Sequence, residues 1–115
     1  MKTRYLLGLP FVTLKLNTEE VEFLIDTGFN GALLLPQEKV NELKLPKAGR
    51  AEYVMADGML SETELFSAEV DWFGSKREVL VVSSPADFAL VGMELLSELK
   101  ITMAASKGIL NVDMQ

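Results

Sequence analysis

A chain of 115 residues, 49% of them apolar, can bury one ordinary core and is too short for two full domains. Its formal charge of −6 leaves no footprint for nucleic acid, since the only basic pair, Lys76-Arg77, is followed at once by Glu78. Cys and His are both absent, which removes disulfides, thiolate nucleophiles, Ser-His and Cys-His catalysis, and metal sites built on either residue.

Residues 5 to 14 are apolar but broken by Gly8, Pro10 and Thr13. They are too short for a membrane span and lack a small-residue cleavage site, so the expectation is a soluble, cytoplasmic protein with no membrane partner. Val12, Leu14 and Leu16 alternate with polar residues, Asn17 to Glu20 form a polar turn, and Val21 and Phe23 resume the alternation. This predicts a β-hairpin running into Asp26. Ala32 to Leu35 reads as a buried strand, and Pro36 opens a short helix through about Leu43. Arg50 to Met55 and Leu60 to Phe66 read as strands joined around Ala56-Asp57-Gly58-Met59, where Asp-Gly is a tight-turn signal.

Phe66, Ala68, Val70 and Trp72 then alternate with Ser67, Glu69 and Asp71, and the chain turns at Gly74-Ser75. Val79 to Val82 is apolar throughout, as a central strand would be. After a loop at Ser84, Pro85 and Asp87, a second apolar run, Phe88 to Val91, ends on Gly92. Met93 to Leu99 reads as a helix with Leu95, Leu96 and Leu99 inward, and Ile101 to Ala104 with Ile109 to Val112 as a closing hairpin. The whole is one mainly-β domain over residues 1–115, a closed β-barrel with one or two short α-helices.

Asp26 stands directly after Phe23-Leu24-Ile25, where an ionised group is costly to desolvate. In Asp26-Thr27-Gly28, Gly28 permits a sharp turn and a close backbone approach, and Thr27 offers a hydroxyl while its methyl stays in an apolar wall. Read alone, Asp26 also fits a loop aspartate that bonds its own turn. Gly92 likewise fits an ordinary turn, and Asp57-Gly58 a plain hairpin. Met55 and Met59 suit either substrate contact or core filling. Glu19, Glu20, Glu22, Glu62 and Glu64 read as solvated edge charges, not as a metal set.

The runs "FLIDTGFNGALLLP" and "FALVGMELL" together resemble the retropepsin-like aspartic proteases, single-domain members of the clan that includes pepsin and the retroviral proteases. The resemblance covers nearly the whole chain and is closest to the prokaryotic type. It implies a retropepsin-like barrel in which the Asp26-Thr27-Gly28 strand crosses a second strand ending in Leu90-Val91-Gly92. It implies aspartic endopeptidase activity without cofactor or metal, with Asp26, Thr27 and Gly28 as catalytic residues. Met55, Ala56, Asp57, Gly58 and Met59 match the flap that binds substrate, and apolar residues flanking the cleaved bond would suit Leu24, Leu33, Met55, Met59 and Leu90. Because the chain holds one Asp-Thr-Gly, the resemblance implies a homodimer with Asp26 and Thr27 of each copy at the twofold axis and a peptide substrate between them. Phe29, Asn30 and Gly31 follow where many relatives carry smaller side chains, and Asp57 puts a charge near the flap tip. Two other functions fit the same sequence: a non-proteolytic module that binds peptides or dimerises, and a structural subunit whose interface another chain occupies.

Overall fold

Alternation of apolar and polar residues produces the first three strands, β1 (Thr3–Leu6), β2 (Leu9–Leu16) and β3 (Glu19–Ile25), an antiparallel meander. Its turns are the two-residue loops Leu7-Gly8 and Asn17-Thr18, all four residues at positive φ. That geometry matches the right-handed twist of the paired strands. The computed structural model describes residues 1–54 and 58–115. The chain continues through β4 (Leu33–Pro36), α1 (Gln37–Glu42), β5 (Lys47–Val54), β6 (Leu60–Trp72) and β7 (Ser75–Ser84). It ends with β8 (Leu90–Val91), α2 (Met93–Leu96), β9 (Leu99–Ala104), a 3₁₀ turn and β10 (Ile109–Met114).

Eight strands form one sheet in the order β1-β2-β3-β8-β4-β7-β6-β5, and β9 and β10 form a separate hairpin. The sheet curls until β2 meets β6 at Leu16↔Val70, where Asn17 N–H donates to the Glu69 carbonyl at 2.9 Å and Asn17 Oδ1 accepts from Glu69 N–H at 2.8 Å. Ring closure rests on this one residue pair. β8 lies between β3 and β4, parallel to the first and antiparallel to the second. The segment joining β3 to β4 therefore passes over the end of β8.

Register sorts the apolar side chains into two transverse rows. Ile25, Val91, Leu33, Val81 and Phe66 are linked partner to partner across five strands and are all buried in the core. One residue over, Phe11, Leu24, Leu90, Leu34, Val82 and Leu65 form a second row on the opposite face. Only Leu90 of these is buried, and it lies outside the core cluster. The sheet thus has an apolar face that the chain's own core does not cover.

The structure corrects several sequence expectations. The helix expected over Met93 to Leu99 ends at Leu96, because Leu99 pairs with Met114 to start the β9–β10 hairpin. The two strands expected either side of Phe66 are one 13-residue strand. The β6–β7 turn is Phe73-Gly74, one residue earlier than expected, and β1 was not foreseen. Of the residues expected to form a flap, Met55, Ala56 and Asp57 lie outside the described residues, while Gly58 has φ +84° and Met59 is exposed.

Candidate active site

Two β-strand steps past Leu24 place Asp26 on the face of the second apolar row, at the open end of β3. Its N–H donates to the Val91 carbonyl at 3.0 Å, extending the β3–β8 ladder by one bond beyond Ile25. The chain then turns. Phe29 N–H donates to the Asp26 carbonyl at 3.2 Å, and Gly28 N–H donates to Asp26 Oδ1 at 2.8 Å. The aspartate does bond its own turn, and that bond fixes where the half-buried carboxylate points. Among the described residues the carboxylate makes no ion pair and receives no side-chain hydrogen bond, and the exposed Thr27 hydroxyl has no hydrogen-bond partner.

Three consecutive N–H groups clip this loop from the other side. Gly92, Met93 and Glu94 donate to the carbonyls of Ala32, Phe29 and Gly31 at 2.9, 2.7 and 3.2 Å. The fit requires glycine at 92. A Cβ there would meet the Gly31 carbonyl oxygen and would lie 2.5 Å from both the Phe29 carbonyl oxygen and its ring. Leu90-Val91-Gly92 thus combines a two-residue strand flanked on both sides with a crossing that no side chain fits. Phe29 is the residue whose role the sequence left least defined. Its ring lies against Gly31, where a Cβ would come within 2.6 Å of Cζ.

A groove of about 620 Å³ opens beside the loop. Phe29 and Asn30 line it from the loop, Leu34 and Val82 from the sheet, and Ala51 and Thr63 from the β5–β6 hairpin. Its floor therefore includes two members of the second apolar row. Leu24 and Leu90 belong to that row as well, whereas Leu33, which the unbroken run Leu33-Leu34-Leu35 does not separate from its neighbours, is wholly buried in the core. The sequence expectation sets Leu33 against the substrate and passes over Leu34, because every residue from Ala32 to Leu35 is apolar; the structure puts Leu33 in the core and Leu34 in the groove. The signal that assigns the face is the cross-strand partner, which sequence does not show.

Two arginine–carboxylate pairs tie other parts of the chain together. Arg4 bonds Glu22 through two 2.6 Å contacts, and Arg77 holds Glu98 at 2.6 and 2.9 Å. Hydrogen bonding from the arginine is the main cause that holds each carboxyl below its ordinary range. Both pairs are cross-links between chain segments, β1 to β3 and β7 to the turn that precedes β9.

No family model matches this sequence, and no curated protein matches it either. Solved structures do. A retropepsin-like aspartic protease from Rickettsia conorii superposes with a TM-score of 0.66 at 22% identity, over 94% of this chain and 84% of that one. The EIAV protease, solved with the inhibitor HBY-793, gives 0.65 at 20% identity over 81% and 90% of the two chains. The protease of Simian Foamy Virus (mac) gives 0.57 at 15% over 76% and 91%. The chain has the retropepsin-like fold, and these structural neighbours are retroviral and bacterial aspartic proteases.

Proposed function

We propose that residues 1–115 form one aspartic endopeptidase domain, active as a homodimer in which a water is activated between Asp26 of each subunit. The observation that carries this reading is the position of Asp26: a carboxylate held by its own turn at the open end of β3, on the sheet's uncovered apolar face and beside a groove large enough for peptide side chains. The fold shared with aspartic proteases supports it. In this reading the sheet closes as the barrel of that fold, and residues 55–59 are the flap.

Two carboxylates a few ångströms apart cannot both ionise readily, so the pair shares one proton. The ionised carboxylate takes a proton from the water as its oxygen attacks the scissile carbonyl carbon. The protonated carboxyl gives its proton to the carbonyl oxygen, forming a gem-diol. Collapse breaks the C–N bond, with a proton passing to the leaving nitrogen and the shared-proton state restored. No covalent intermediate with the protein forms. Thr27 and Gly28 position the carboxylate, Thr27 by bonding across the twofold axis. The substrate lies extended between the apolar row and the flap, its backbone bonded like an added strand and alternate side chains entering the groove. Met55, Ala56, Asp57, Gly58 and Met59 contact it from above.

The test compares wild type with Asp26→Asn on an unfolded protein mixture from mildly acid to neutral pH, with new termini read by mass spectrometry. Asparagine keeps the size of the side chain but cannot exchange the shared proton. Cleavage by wild type alone is the expected result. Equal cleavage, or none by a folded dimer on any substrate, would remove the assignment.

A further inference from the structure

Among the described residues, three two-residue hairpin turns have both central residues at positive φ: Leu7-Gly8, Asn17-Thr18 and Phe73-Gly74. Such turns favour Asn, Asp or Gly at the first position, and a larger side chain there is held against its preference. In two of the three the structure shows what the side chain does. Asn17 Oδ1 accepts from Glu69 N–H at 2.8 Å, and the Phe73 ring stacks edge-on against Trp72 with centroids 5.2 Å apart.

Leu7 has no such contact: it is 94% exposed at φ 53°. Leu6 and Leu9, which pair across the base of the turn, are 41% and 49% exposed. A leucine therefore stands where both backbone preference and burial argue for asparagine, at the tip of a three-leucine patch. Local choices that contradict local physics mark places where something outside the fold is served.

The sheet register indicates what covers the patch. Extending the β2–β3 pairing two residues past Phe11↔Leu24 sets Leu9 level with Asp26. Leu6 and Leu9 share the face of Phe11, Leu24 and Asp26, so the leucine turn reaches past the same end of the sheet as Thr27. Resting on the dimer reading above, we propose that Leu7, with Leu6 and Leu9, packs against a second copy of this chain beside the axis where the two Asp26 carboxylates meet. Each copy thereby braces the partner half of the site it needs to complete.

The experiment is sedimentation velocity over a dilution series of the full chain, with urea unfolding in parallel. Leu7→Asn gives the turn its preferred residue, so the fold should be as stable as wild type or more so. The dimer dissociation constant should nevertheless rise about a hundredfold, because twofold symmetry counts each lost leucine twice. Leu7→Lys should weaken the dimer further by placing like charges near the axis. Phe73→Asn, at the equivalent turn position, should lower stability and leave self-association unchanged. An unchanged dissociation constant in Leu7→Asn and Leu7→Lys overturns the inference and leaves the dimer reading standing. A wild type that is monomeric throughout overturns both, and flotation with lipid vesicles that is lost in Leu7→Asn would then assign the patch to a membrane surface.

Discussion

Adding one methyl group at Gly92 and at Gly31 should have different consequences, although the two residues touch the same loop. At Gly31 the three atoms nearest the new Cβ all belong to the Phe29 ring, the closest being Cζ at 2.6 Å. At Gly92 the new Cβ meets the same ring, but also the carbonyl oxygens of Gly31 and Phe29, which are backbone and hydrogen-bonded to Glu94 and Met93. Gly31→Ala should cost about 1–3 kcal/mol, as overpacking against a side chain usually does. Gly92→Ala should cost about 3 kcal/mol or more, because the Asp26 loop itself must move, and a shift of about 1 Å there should lower cleavage roughly a hundredfold.

Phe29→Ala separates the two cases. Combined with Gly31→Ala it removes the clash, so the double mutant should be more stable than the sum of the singles by about 1–2 kcal/mol. Combined with Gly92→Ala it should give little coupling, because the backbone oxygens remain. Urea denaturation of the six proteins, with cleavage rates alongside, reads both cycles. Stability of Gly92→Ala within about 0.5 kcal/mol of wild type would refute the reasoning, as would equal coupling in the two cycles.

The two-row sheet makes neighbouring leucines differ. Leu33→Ala should cost about 2–5 kcal/mol in urea unfolding, while Leu34→Ala should cost much less and instead change which peptides are cleaved, read by termini profiling. The Arg77–Glu98 pair should act through pH. The folded carboxyl sits below its ordinary range, so its contribution to stability is present above the unfolded pKa and lost as pH falls through the folded one. The melting-temperature gap between wild type and Glu98→Gln should therefore be open at neutral pH and close in acid. A gap that widens in acid would contradict this sign.

Much of this structure is legible in the sequence, for identifiable reasons. Val12 to Leu16, Val21 to Phe23 and Phe66 to Trp72 alternate an apolar core residue with a polar one, so period two alone assigns these stretches. The position of Asp26 at a strand end follows from the same pattern. β1 was missed because Leu6-Leu7-Gly8-Leu9-Pro10 does not alternate and its turn carries a leucine where a polar residue is the usual signal. Leu95, Leu96 and Leu99 fit a helix longer than the one that forms, since an apolar spacing of four serves a helix or a turn entering a strand equally well. The floor of the groove was hidden for a different reason. In Ala32 to Leu35 every residue is apolar, so only pairing with β7 and β8 reveals that Leu34 faces the groove and Leu33 the core.

Mixing wild type with Asp26→Asn at constant total chain tests the shared site most directly. If catalysis needs one Asp26 from each subunit, mixed dimers are inactive and activity falls as the square of the wild-type fraction. An equal mixture should then retain about a quarter of the wild-type rate. Retention of about half, with activity falling in proportion to the wild-type fraction, would show that each chain works alone and would contradict the shared active site.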